Sequence, residues 1–182
     1  MNIESRALQL LQTSYGDDAQ FRDGQLEAIQ AVANKRKVLV IQKTGWGKSI
    51  VYFIATKLLR EDGSGPTIII SPLLALMHNQ IDAAAKLGLN VVTINSNNRD
   101  EWDSIYSNLD AADAIIVSPE KLSDPRFIEA LTAINDIELI VVDEAHSISD
   151  WGHDFRPDYQ RIVNLLKTLP DSIAVLGTTA TA

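Results

Sequence analysis

Six short runs of β-branched and aliphatic residues punctuate the chain: Val38–Ile41, Thr67–Ile70, Val91–Ile94, Ala114–Val117, Leu139–Val142 and Ile173–Leu176. They are continuous apolar runs, which suits strands covered on both faces, because a half-wet strand alternates apolar with polar residues. Helical stripes lie between them. Leu26, Ile29 and Ala33 fall on one stripe, and Ile50, Ile54 and Leu58 on another. A third helix is predicted from just after Pro72 through Met77 and Ile81 to Leu87, with Gly88 placed to cap it. Strand–helix alternation of this kind predicts an α/β fold: a mostly parallel central sheet sandwiched between helices in three αβα layers. Gly63–Pro66 reads as a short turn and Asn95–Asp100 as an exposed loop. In such sheets ligands bind beyond the carboxyl ends of the strands, so the residues that follow each run carry the chemistry.

Composition narrows the classes. The 182 residues are 46% apolar and 22% charged, as expected of one globular domain with a real core. There is no cysteine, which removes a disulfide scaffold, a thiolate zinc site and a cysteine nucleophile together. The net charge is −8, from 24 acidic against 16 basic residues, and by itself this counts against a nucleic-acid partner. A local groove can still be basic on an acidic protein. No apolar run is long enough to span a bilayer and the amino end lacks the pattern of a signal peptide, so a cytoplasmic protein with no membrane partner is expected. The chain stops at Thr178–Ala182 directly after a strand, which leads us to expect a segment of a longer protein.

The first run is followed by Gln42-Lys43-Thr44-Gly45-Trp46-Gly47-Lys48-Ser49 and then an amphipathic helix. Gly45 and Gly47 allow consecutive amides to turn inward around phosphate oxygens, and the helix amino end adds unpaired N–H groups and partial positive charge. Lys48 can reach the β- and γ-phosphates of a nucleotide, and the Ser49 hydroxyl can bind Mg²⁺. Gln42 stands where the strict pattern has glycine. The plainer alternative is a glycine turn that only joins a strand to a helix, but strand before and helix after favour the phosphate loop of a P-loop NTPase. Trp46 is unusual here, with three readings open: shielding the phosphates, contacting a partner domain, or lying exposed.

The fifth run delivers Asp143-Glu144-Ala145-His146. An apolar strand ending in Asp puts a carboxylate at the end of the sheet, beside the phosphate loop if the two strands are neighbours. Asp143 can then hold Mg²⁺ directly or through water, and Glu144 can accept a proton from the water attacking the γ-phosphate. The alternative is a solvated strand end whose His146 makes a local hydrogen bond. Other chemistries find little support. There is no Gly-x-Ser-x-Gly elbow, and His78, His146 and His153 lack zinc-binding spacing.

Asp143–His146 is a DEAH box, and it continues as Ser147-Ile148-Ser149-Asp150-Trp151-Gly152-His153-Asp154-Phe155-Arg156-Pro157-Asp158-Tyr159. That run resembles the aromatic-rich loop of RecQ-family DNA helicases. Further segments follow in family order. Phe21-Arg22-Asp23-Gly24-Gln25 is similar to the segment in which the family's Gln reads adenine. Ser71-Pro72 and the residues after it resemble motif Ia, Ser118-Pro119-Glu120-Lys121-Leu122 resembles motif Ib, and Thr179-Ala180-Thr181 resembles motif III, which links nucleotide state to movement. Lys43, Trp46, Asp23 and Ser147 depart from the usual family residues without removing a catalytic group, and Tyr15–Ala19 does not align with the family's adenine-stacking aromatic.

The resemblance implies the first of two RecA-like motor domains over residues 1–182, with ATP and Mg²⁺ as cofactors and DNA as partner. It implies Lys48, Asp143, Glu144 and His146 as catalytic residues, Ser49 and Asp143 as metal-holding residues, and Arg22, Gln25, Thr44, Gly45, Trp46, Gly47, Lys48 and Ser49 as the nucleotide site. Ser71, Pro72, Ser118, Trp151, His153, Phe155, Arg156, Thr179 and Thr181 would bind DNA or couple it to ATP. The activity implied is ATP-driven 3′-to-5′ translocation and unwinding, in the service of repair or recombination. Trp151, Phe155 and Arg156 offer the stacking surfaces and cation that single-stranded bases need. Two alternatives stand beside this: an ATP-gated DNA-binding sensor without unwinding, and a P-loop kinase or GTPase-like switch, which lacks a guanine-reading motif.

Overall fold

The computed structural model describes residues 2–72, 74–145 and 157–180. All six predicted runs are strands: β1 (Lys37–Ile41), β2 (Thr67–Ile70), β3 (Val91–Ile94), β4 (Ala114–Val117), β5 (Leu139–Asp143) and β6 (Ala174–Thr179). They form one parallel sheet in the order β1-β6-β5-β2-β4-β3. Every strand of β2, β4 and β5 is buried along its length, as the unbroken apolar runs require. β1 forms one edge and leaves Leu39 and Ile41 exposed.

The helices are α1 (Ile3–Tyr15), α2 (Gln25–Ala33), α3 (Lys48–Glu61), α4 (Leu74–Lys86), α5 (Trp102–Ser107), α6 (Pro125–Ala133) and α7 (Pro157–Thr168). Because strand side chains alternate between faces, the sheet feeds two cores. Ile69, Ile116, Val141 and Leu176 join Leu10, Ile29, Phe53 and Ile54 from the layer of α1 to α3. Ile68, Ile70, Ile115, Val117, Ile140 and Val142 join Phe127, Leu131 and Ile162 from α6 and α7. Each fully buried Ile or Phe contributes about 1.5–3 kcal/mol of transfer free energy. Truncating central Ile69 to Ala would cost about 2–5 kcal/mol.

α4 ends where expected: Gly88 N–H donates to Ala85 O at 3.0 Å and Leu89 N–H to Ala84 O at 3.1 Å, tying off the last turn. Residues Ser96–Glu101 differ from the expected exposed loop. They form a 3₁₀-helix capped by Asn95, whose side chain accepts from Asn97 N–H at 2.8 Å, while Asn98 Oδ1 accepts from Asn95 N–H at 3.0 Å. Asparagine-rich segments read as loops, yet the same short amides cap a helix when they meet its free N–H groups.

Candidate nucleotide and nucleic-acid site

All strands run the same way, so their carboxyl ends gather the phosphate loop after β1, Ser71 after β2, Asn95 after β3, Ser118 after β4, Asp143 closing β5 and Thr178-Thr179 closing β6. The phosphate loop and Asp143 do not lie on neighbouring strands. β6 stands between them, and Thr178 is in register with Val40 on one side and Asp143 on the other. Two strand spacings, about 9–10 Å, therefore separate the ends of β1 and β5. The sequence cannot reveal this insertion, because β6 comes last in the chain and β1 first.

The phosphate loop is braced from the segment before α2. Gln25, 2% exposed, donates from Nε2 to Trp46 O at 2.9 Å and Gly47 O at 3.3 Å, and its Oε1 accepts from Arg22 N–H at 2.8 Å. The Arg22 side chain donates to Gly45 O. A trans peptide points its C=O and the next N–H in opposite directions. Holding the Trp46 and Gly47 carbonyls thus turns the N–H groups of Gly47 and Lys48 away from Gln25. Gly47 has φ +95°, and a Cβ there would lie 2.6 Å from Gln25 Nε2, so the brace and a side chain at this position exclude one another. Gly45, at φ +90°, faces open space. Gln25 thus joins the phosphate loop, through its amide nitrogen, to the backbone of Arg22, through its amide oxygen.

Trp46 does not lie exposed, one of the three readings open to it from sequence. Its ring is 7% exposed, packs into the core of the α1–α3 layer, and donates from Nε1 to Asp23 O at 3.2 Å. A large aromatic flanked by two glycines can fold back under the loop, where burial stabilises it. Its own amide is turned to Lys43 O at 3.2 Å. Lys48 and Ser49 open α3, whose cap, Gly47, supplies no side-chain acceptor, and no acidic residue lies in the first turn. That end of the helix is suited to an anion.

Asp143, 8% exposed, is the hub of the other half. Its Oδ1 accepts from Thr178 Oγ1 at 2.8 Å and from Glu144 N–H at 3.1 Å, and its Oδ2 from Ser71 Oγ and Gln80 Nε2, each at 3.2 Å. Gln80 Nε2 also reaches Tyr52 Oη at 2.7 Å. Burial, and then the charge of Asp143, push the Tyr52 hydroxyl well above the ordinary tyrosine range, so it stays neutral. Glu144 follows with φ +57°, and Ala145 N–H returns to Thr178 O at 2.9 Å. Thr178, Gln80 and Tyr52 are functional candidates that sequence reasoning missed. The available signal was Gln80, a polar residue on the apolar stripe with Met77 and Ala84.

Ser71 and Ser118 are buried, so neither hydroxyl faces solvent as a phosphate contact would require. The acidic acceptor draws Ser71 inward, whereas Ser118 Oγ has no hydrogen-bond partner among the described residues. Pro72 is half-buried beside Ser71, and Thr44 is exposed at the tip of the phosphate loop. Thr179 is buried, and its carbonyl accepts from Gln42 N–H at 3.0 Å, joining the start of the phosphate loop to β6. His146, Trp151, His153, Phe155, Arg156 and Thr181 lie outside the described residues.

The donor set is chemically apt for the implied ligands. Ser49 and Asp143 offer hard oxygens of the kind Mg²⁺ takes. Among the described residues no group of three or more His, Asp or Glu is placed to hold a metal ion. Among the described residues, too, no helix is long and apolar enough to cross a membrane.

A six-stranded parallel sheet, a glycine loop opening a helix and a carboxylate two strands away define a RecA-like nucleotide-binding domain. Residues 22–182 match the DEAD/DEAH box helicase family, and the chain belongs to it. It is 41% identical over 183 residues to the ATP-dependent DNA helicase RecQ of Bacillus subtilis (strain 168), covering 97% of this chain and 30% of that protein. It is 37% identical over 169 residues to the ATP-dependent helicase SGS1 of Saccharomyces cerevisiae, covering 89% of this chain and 12% of that one. The chain thus spans less than a third of these relatives. The SWI2/SNF2 ATPase core of Sulfolobus solfataricus, solved in complex with dsDNA, shares the fold at a TM-score of 0.64 and 15% identity, covering 90% of this chain and 32% of that one.

Proposed function

We propose that this chain is the first RecA-like motor domain of a RecQ-like DNA helicase, cytoplasmic, in which Mg²⁺-dependent ATP hydrolysis drives 3′-to-5′ movement along single-stranded DNA and unwinding by the full-length protein. The observation that carries this reading is the shared hold on Asp143. Ser71, from the segment resembling motif Ia, and Thr178, from the strand that ends in the segment resembling motif III, both donate to the carboxylate of the DEAH box. Segments that meet DNA and segments that meet nucleotide thereby act on one side chain.

In this reading Lys48 and the amides of Gly47 and Lys48 hold the phosphates, and Ser49 and Asp143 would hold Mg²⁺. Bound with the nucleotide, the metal supplies charge neutralisation on the transferring phosphoryl group. Glu144 takes the proton of the attacking water, and His146 lies two residues further on in sequence. Arg22 and Gln25 set the loop from the adenine side. Trp151, His153, Phe155 and Arg156 offer stacking and cationic contacts to single-stranded bases, so occupancy of that stretch would be felt at Glu144. An arginine from a second RecA-like domain would complete the transition state, at a gain on the order of 10³ or more in rate.

The test is ATP hydrolysis and strand displacement on a duplex with a 3′ single-stranded tail. The full-length protein should hydrolyse ATP faster with DNA and separate the strands, whereas residues 1–182 alone should bind ATP weakly, turn it over slowly and separate nothing. Full-length protein that binds ATP and DNA but never separates strands would favour the ATP-gated sensor instead.

A further inference from the structure

Asp143 is held by more than the ends of its own sheet. Gln80 reaches it from α4 with Nε2, and the same nitrogen contacts Tyr52 Oη on α3. The amide orientation is fixed by chemistry: the opposite flip would set Gln80 Oε1 against the Asp143 carboxylate, oxygen facing oxygen. In the orientation observed, Gln80 is 8% exposed and Oε1 is buried without a hydrogen-bond partner among the described residues. An unsatisfied buried acceptor typically costs about 1–3 kcal/mol. A leucine on the same helix stripe would avoid that cost, so what the glutamine adds at this position lies in its nitrogen.

Three elements meet at this amide. α3 begins at the phosphate loop, with Lys48 and Ser49 one turn before Tyr52. α4 follows Ser71 and Pro72, and β5 ends in Asp143. We propose that Gln80 is a positioning residue for Asp143, clamped against Tyr52, so that the direction of the carboxylate toward magnesium-bearing nucleotide follows the placement of both α3 and α4. This deepens the motor reading and rests on it. Two protein donors lie on each oxygen, and together they set the direction of the carboxylate. Removing Gln80 frees Oδ2 to rotate toward Ser71 alone, which misaligns the carboxylate without touching the phosphate loop.

The experiment is calorimetric titration of ADP into the full-length protein, in EDTA and across a magnesium series, for wild type, Gln80→Leu and Tyr52→Phe. Loss of an outer hydrogen-bond partner of a metal ligand typically weakens metal affinity about 10–100-fold. The magnesium concentration that half-maximally tightens ADP should therefore rise about tenfold or more in Gln80→Leu, and by less in Tyr52→Phe, which keeps the ring packing. ADP affinity in EDTA should stay within about twofold, because among the described residues the hydrogen bonds of Gln80 go to Tyr52 and Asp143 and not to the phosphate loop. A parallel fall with and without magnesium would reduce Gln80 to a packing role, and an unchanged magnesium dependence would also overturn the proposal. If Gln80→Leu does not fold, Tyr52→Phe decides by the same criterion. Wild-type full-length protein that binds no nucleotide would defeat the motor reading and this inference together, a result distinct from wild type that binds with a magnesium dependence indifferent to both substitutions.

Discussion

Thr178 Oγ1 donates to Asp143 Oδ1 at 2.8 Å, across the register that joins β6 to β5. A hydrogen bond to a carboxylate contributes about 1.5–3 kcal/mol, and here both partners are buried. Thr178→Val keeps the shape and removes the donor. It should lower stability by about 1–3 kcal/mol, read as a shift in the urea midpoint. In an Asp143→Asn background the same substitution should cost less, and equal costs in the two backgrounds would show that the pair does not interact.

Gly47→Ala meets two obstacles at once, a left-handed backbone and the Gln25 amide. The substitution should destabilise the chain by about 1–3 kcal/mol and weaken ADP binding by tenfold or more, since the loop must shift to clear the methyl group. Adding Gln25→Ala should recover part of the loss by removing the clash but not the strain. Thermal melting and calorimetry on the single and double variants separate the two contributions.

Glu144→Gln in the full-length protein should retain ATP binding and lose hydrolysis. A positioned general base is worth about 10²–10⁴ in rate, and the amide preserves size and hydrogen-bonding capacity. Wild-type turnover by this variant would remove Glu144 from proton transfer. Trp151→Ala in the same protein should leave basal hydrolysis nearly intact while abolishing its stimulation by DNA.

Far from the site, Glu138 accepts from Lys35 and from Ser64 Oγ, and these hydrogen bonds hold its carboxyl below the ordinary range. The stabilisation is therefore present above the ordinary carboxylate pKa and lost as pH falls through the lower folded value. Glu138→Gln should be slightly less stable than wild type at neutral pH, with the difference vanishing in acid. The effect should be small, because both side chains are more than a third exposed to solvent screening or nearly so. Denaturation midpoints at several pH values check the direction.

The strands were legible because each is an unbroken apolar run, and a run of that kind has few other uses. Their order was not. Nothing local in Ile173–Leu176 says that it will lie between β1 and β5, so whether the strands of Asp143 and the phosphate loop are neighbours was left open by the sequence and is decided by topology: β6 lies between them. The burial of Trp46 was not legible because glycine loops are ordinarily surface features, whereas burial depends on what lies beneath them, here the segment around Asp23 and Gly24. Tyr52 and Gln80 were invisible for a subtler reason. A tyrosine and a glutamine in amphipathic helices look like ordinary core and surface choices until three elements bring them to one carboxylate. α1, α5, α6 and α7 were not placed by the sequence reading, since their apolar stripes are short and Pro125 and Pro157 alone mark where α6 and α7 begin.

Within the sheet β1 pairs with β6 and with no other strand, although most of the polypeptide separates the two. During synthesis β2, β3, β4 and β5 can assemble as they emerge, but β1 has no place to dock until residues 174–179 have left the ribosome. Closure of such distant pairings is slow and costs chain entropy. The phosphate loop thus gains its anchorage in the sheet only once β6 has docked, and a translation product truncated before β6 would carry the glycine loop without the strand that sets it against Asp143.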